Sequence, residues 1–165
     1  MTGRRTATLT RRSAIAQLAL VNFTLSKYSG YAYAALRIIT GLMFATHGAQ
    51  KLFGMFGGKG GAQGMMLVAG IVELAGGILI ALGLLTRPAA FLASGTMAVA
   101  YFMAHAGQGW HPVMNKGELA VVYCFLFLYM FFRGAGPLSV DSMIGGKAGT
   151  ADGEVGGPMR TGREL

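Results

Sequence analysis

GMMLVAGIVELAGGILIALGLL, from Gly64 to Leu85, decides how this chain is read. Its 22 residues carry a single charge, Glu73, near the centre. At about 1.5 Å per residue, a helix of this length crosses the roughly 30 Å hydrocarbon core of a bilayer. A carboxylate at that depth costs about 2.5–3.5 kcal/mol unless it faces a protein interior and finds a partner. The other segments must therefore supply that interior.

Composition agrees with a membrane chain. Of 165 residues, 53% are hydrophobic and 12% charged, about half the charged share of a soluble domain. The 27 glycines suit helices whose backbones approach closely in lipid. The net charge of +8 lies in loops and tails. No basic face with interleaved aromatics is present, which argues against nucleic acid as a partner. Cys124 is the only cysteine, so neither an internal disulfide nor a CxxC redox pair can form.

Working outward from Gly64–Leu85, three more apolar segments appear. They are YAYAALRIITGLMFATHGAQKLF (Tyr31–Phe53), PAAFLASGTMAVAYFMAHA (Pro88–Ala106) and GELAVVYCFLFLYMFF, opening at Gly117 and running to about residue 133. Residues 1–30 read as a basic, poorly ordered cytoplasmic extension. Arg4, Arg5, Arg11 and Arg12 before Ala14–Val21 also have the outline of a signal segment, and a misplaced start is a further reading. Residues 145–165 are Gly-rich and charged and read as a disordered tail. Lys/Arg counting places Arg4, Arg5, Arg11, Arg12, Lys27, Arg87, Arg133, Lys147, Arg160 and Arg163 on the cytoplasmic side, against Lys51, Lys59 and Lys116 outside. Both termini are expected inside, and four helices satisfy that parity. The expected fold is all-α, an integral four-helix bundle in a bacterial inner membrane.

Residues three and four apart share a helix face. Arg37, Thr40, Phe44, His47 and Lys51 form one stripe. Gly70, Glu73, Gly77 and Ile80 form a second, and Ser94, Ala98, Tyr101 and His105 a third. On the last helix the polar ends select Glu118, Val122, Phe125 and Tyr129. Counting from the cytoplasmic ends sets His47, Glu73 and His105 within roughly 6 Å in height, so His47 and His105 are the expected partners of Glu73. Lys51, Asn115 and Glu118 sit just above them. The candidate ligand-binding set is His47, Lys51, Glu73, Tyr101, His105, Asn115 and Glu118, with His47, Glu73 and His105 as candidate catalytic groups. Arg37, Arg87 and Asp141 make a second candidate cluster at the inner side.

Glu73 reads equally as a proton-handling carboxylate tuned by His47 and as a strut locking two helices. For His47 and His105, hydrogen-bonded interior histidines are the simplest reading. A quinone or other small apolar ligand ranks next, and a bis-histidine haem well below it. A zinc or di-iron site from His47, Glu73, His105 and Glu118 ranks lowest, since no Glu-x-x-His pair supports it, and no metal is expected.

The ordered pieces LRIITGLMFATHGAQKLFG, GIVELAGGILIALGLLTRPAA, MAVAYFMAH, HPVMNKGELAVVY and GAGPLSVD resemble the DoxX family of bacterial membrane proteins over about Leu36–Asp141. Leu138 stands where many members carry an aromatic residue. The resemblance implies a four-helix inner-membrane protein. Some relatives are associated with a thiosulfate:quinone oxidoreductase and others with thiol-linked oxidative-stress complexes. The expected function is thus a membrane subunit of a quinone-linked, sulfur- or thiol-associated redox system, with redox enzyme subunits as partners. Whether the chain is itself an enzyme stays open. The alternative is a non-enzymatic scaffold or small-molecule carrier, and a small proton-coupled transporter ranks third, since no inverted repeat is apparent.

Overall fold

A computed structural model describes residues 3–144, with side chains from Leu25 onward. The expected tail at 145–165, with Lys147, Arg160 and Arg163, lies outside the described residues. Among the described residues the fold is all-helical. α1 runs from Gly3 to Phe53, α2 from Met65 to Leu82, α3 from Thr86 to Ala100, α4 from Glu118 to Arg133, and the short α5 from Val140 to Ile144. α3 continues through a π-helical turn, Tyr101–His105, and a 3-10 turn, Ala106–Gln108. α1 packs on α2, α2 on α3, and α3 on α4.

Most boundaries follow from local chemistry. α1 begins well before the expected Tyr31, because no proline interrupts 3–53 and nothing stops the helix upstream. The helix thus also covers residues 3–30 of the expected extension. α2 stops at Leu82 rather than Leu85. Gly83, at φ +69, takes the left-handed conformation, and the Leu84 N–H reaches back to the Leu79 carbonyl at 2.9 Å, closing the helix in a Schellman motif. α3 starts at Thr86, two residues early. The Asp141 carboxylate accepts the N–H groups of Leu85 and Thr86 at 2.8 and 3.0 Å and so caps the helix from a distant segment. Pro88 then sits in the first turn, where its missing N–H costs nothing.

α1 and α2 are in backbone contact. A β-carbon on Gly41 would lie 2.7 Å from the Gly77 carbonyl, and one on Gly77 2.6 Å from the Gly41 carbonyl. Gly48 meets the Gly70 carbonyl in the same way, at 2.7 Å. Both glycine pairs are seven residues apart, so the small positions form one seam along an antiparallel crossing.

The core holds Phe44, Ile80, Ala90, Ala93, Met97, Tyr123, Phe127 and Met130. The inward stripes expected on α1, α2 and α3 are buried or half-buried. The stripe expected on α4 is wrong. Glu118, Val122, Phe125 and Tyr129 are exposed, and Ala120, Tyr123, Phe127 and Met130 face the core. Glu118 is the first residue of the helix, so its polarity says nothing about the face below it.

Two described helices are long and apolar enough to cross a membrane: Met65–Leu82, with mean hydropathy 2.3, and Thr86–Gln108, with 1.3. α4, at 16 residues, falls short of the span, and Arg37, His47, Gln50 and Lys51 lower the apolar average of α1. The exteriors are nonetheless apolar on all four: Ile39 and Leu42, Ile71 and Ile78, Phe91 and Leu92, Leu119 and Phe125 are all exposed.

Candidate functional site

Glu73 is 1% exposed. Its Oε1 accepts a hydrogen bond from the Lys51 ammonium, forming an ion pair between α1 and α2. Its Oε2 is buried and has no hydrogen-bond partner. The expected pairing with His47 is therefore replaced. The Lys51 stem runs down the helix interface and delivers its charge below its own level, which its flexible four-carbon chain permits. The imidazole of His47 has another partner: its Nδ1 lies 3.1 Å from Gln50 Oε1.

These groups line a pocket of about 160 Å³ with Phe44, Met97, His105 and Tyr123. The pocket thus brings together His47, Lys51, Glu73 and His105. Of the remaining expected residues, Tyr101 and Asn115 stand behind His105, and Glu118 is exposed at the mouth of α4, outside the lining. Tyr123 and Phe44 are lining residues that sequence reasoning overlooked as site residues. Phe44 stood in the α1 stripe with His47, and the readable signal for Tyr123 was the apolar spacing of α4 once its face is set by Ala120 and Phe127.

The orientation of both imidazoles is fixed from behind. His105 Nδ1 lies 3.0 Å from the Asn115 backbone carbonyl. A carbonyl only accepts, so Nδ1 carries a proton, and in the neutral ring Nε2 is left as the acceptor. Gln50 Nε2 donates to the Phe56 carbonyl at 3.1 Å, which turns Oε1 toward His47 and assigns its Nδ1–H in the same way. Asn115 is fully used: Nδ2 donates to Gly109 O at 2.6 Å and to the Tyr101 hydroxyl at 3.2 Å, while Oδ1 accepts from Gly117 N at 2.8 Å. The buried amide thus ties the loop before α4 to the π-helical turn that presents His105 beside Tyr101. Such turns re-aim side chains and recur at functional sites.

A second, larger pocket of about 420 Å³ lies between α3 and α4. Its walls include Ala98, Phe102, Trp110, Val121, Cys124 and Phe125, and it shares Met97 and Ala120 with the polar pocket. Among the described residues, no group of three or more His, Cys, Asp or Glu comes together as metal ligands. The polar pocket has the volume of one aromatic ring rather than of the four pyrroles of a haem.

At the opposite end, Arg37 is completely buried. Its guanidinium donates to Ile80 O at 2.7 Å, Ala81 O at 2.8 Å and Leu138 O at 2.7 Å. It satisfies the orphan carbonyls at the C-terminus of α2, where a cation also meets the negative end of the helix dipole. Asp141 caps α3 beside it. Burial raises its carboxyl, but the Thr86 and Leu85 N–H groups and the nearby Arg37 charge together hold it below the usual carboxylate range. Arg87 stands apart from this pair, with its guanidinium 3.4 Å from the Phe131 carbonyl. Tyr33 donates to the Gly134 carbonyl. This end reads as a clasp made of helix caps.

An all-helical chain that buries an ion pair beneath apolar exteriors has the build of a membrane protein. The DoxX family model matches residues 32–106. An uncharacterised protein of Haemophilus influenzae is 48% identical over 126 residues, covering 72% of this chain and 94% of that protein. A Bacillus subtilis protein named "Putative oxidoreductase CatD" is 30% identical over 115 residues, 66% of this chain and 84% of its own. A further uncharacterised Haemophilus influenzae protein is 33% identical over 72 residues, 44% of this chain and 48% of that protein. No solved structure matches. The chain belongs to the DoxX family, and it is a membrane protein in contact with the lipid bilayer.

Proposed function

We propose that this protein is the membrane subunit of a quinone-linked redox system that handles sulfur or thiol compounds. In this reading α1 from about Tyr31, α2, α3 with its π-helical turn, and α4 form a multi-pass four-helix bundle in a bacterial inner membrane, both termini cytoplasmic. The polar pocket then opens in the outer half, and redox enzyme subunits supply the thiol chemistry that a lone Cys124 cannot. The name carried by the Bacillus subtilis relative supports the redox part of the reading.

The observation that carries it is Glu73: a buried carboxylate with one unpartnered oxygen, in the lining of a ring-sized pocket, beside an apolar groove. A quinone has that shape, a polar ring on an apolar chain. A cavity of about 150 Å³ is known to take one benzene ring, so the pocket volume fits. His47, Glu73, His105 and Tyr123 would hold the ring and its protons, and the groove would exclude water from the chain. When bound, the quinone supplies two-electron redox chemistry that no side chain here can supply.

Membranes lacking the protein should lose quinone reduction driven by a sulfur compound, and unchanged reduction would contradict the role. The second reading, a scaffold or carrier, draws on the Lys51–Glu73 pair alone, which locks α1 to α2 whether or not anything binds. Under that reading His105→Ala lowers abundance without a separable loss of activity.

A further inference from the structure

We infer that the polar pocket selects the hydroxyl-bearing, reduced form of a lipophilic quinone over the oxidised form. The inference rests on the quinone reading above and sharpens it. What a pocket prefers is set by the polar atoms it leaves unpaired. Here the buried Glu73 Oε2 has no partner. The Nδ1 of each imidazole is occupied by Gln50 or Asn115, so each ring has only its acceptor nitrogen Nε2 left to offer. Lys51 lines the pocket as well, but one of its donors is engaged by Glu73 and the side chain is 28% exposed, so the other two are satisfied by solvent with or without a ligand. The Tyr123 hydroxyl, which lines the same pocket, serves as donor or acceptor and favours neither form.

Of these acceptors, Glu73 Oε2 is the one buried without a partner, and a carboxylate oxygen is the costliest to leave empty. A hydroquinone brings two O–H donors. A quinone brings only carbonyl oxygens, which would face Glu73 oxygen against oxygen. A site built to hydrogen-bond a hydroxyl rejects the analogue that lacks it far more strongly than an apolar pocket rejects a missing methylene. The alkyl chain is the same in both forms and lies in the groove behind Met97 and Ala120, so it adds affinity without selectivity.

The test measures binding of three decyl-substituted probes to the purified full-length protein in detergent: the benzohydroquinone, its benzoquinone, and the hydroquinone dimethyl ether. Equilibrium dialysis under anaerobic conditions keeps the first two in their redox states. The expected result is at least tenfold tighter binding of the hydroquinone than of either other probe. Equal binding of all three, or tighter binding of the quinone, overturns the selectivity while leaving the quinone site standing. No binding of any probe overturns both. All three probes meet the same native protein, so no outcome depends on whether a variant folds.

Discussion

Lys51 and Glu73 share one ion pair but not one environment. Glu73 is sealed and Lys51 reaches the surface, so removing either leaves a different problem. Lys51→Ala strands a buried carboxylate, and we expect it to cost about 3 kcal/mol; Glu73→Gln leaves a lysine that can turn to water and should cost about 1–2 kcal/mol. The double variant Lys51→Met/Glu73→Leu should recover most of the loss, because an apolar pair of similar volume often replaces a buried ion pair without penalty. Thermal unfolding in detergent orders the three, and a double variant worse than both singles would contradict the assignment. Asp141 makes the second prediction at this scale. Its folded carboxyl titrates below its unfolded value, so its stabilisation is present above about pH 4 and is lost as pH falls through the folded value. Asp141→Asn should lower stability at pH 7 by about 1 kcal/mol and flatten that acid-side decline. The sequence set His47, Glu73 and His105 at one level with Lys51 just above, and all four line one pocket. It could not rank Lys51 above His47, because reach depends on the tilt and separation of two helices.

Between helices, the informative signal was the glycine spacing. Gly41 and Gly48 are seven apart, as are Gly70 and Gly77, and the contacts Gly41–Gly77 and Gly48–Gly70 follow an antiparallel register. The seven-residue spacing stands in the sequence, while the register of the contacts comes from the structure. Gly48→Val or Gly77→Val should force the helices apart, cost about 3 kcal/mol or more, and reduce the folded fraction on gel filtration. Gly95→Ala is the control. A β-carbon there meets nothing within 4 Å, so it should stabilise α3 by about 0.5–1 kcal/mol. The face of α4 was not legible from its polar residues. Its only strongly polar residue before Arg133 is Glu118 at the first position, and a terminus carries no information about the face. The end of α2 at Gly83 was legible in principle as a glycine C-cap, whereas the early start of α3 was not, since its cap arrives from Asp141, 55 residues away from Thr86.

For the whole molecule, one end is a clasp of caps and the other a pocket. Arg37 and Asp141 satisfy the helix termini on the clasp side, where Arg37 Nε and Thr86 Oγ1 stay buried without a partner, and the pocket side keeps the unpaired Glu73 Oε2. Our reading sets the clasp inside and the pocket outside. With Cys124→Ala as background, Lys59→Cys should react with an impermeant maleimide in intact cells, and Arg87→Cys only after lysis; the reverse pattern would invert the topology. The central claim is that the pocket is occupied by a quinone rather than being a strut, and one measurement addresses it most directly. Total quinone, oxidised plus reduced, per mole of folded protein is determined by lipid extraction of wild type and Glu73→Gln, purified from the same cells. The account predicts stoichiometric quinone in the wild type and at least tenfold less in a Glu73→Gln protein that still elutes as a folded species. Wild-type protein free of quinone, or equal quinone in both, would contradict it.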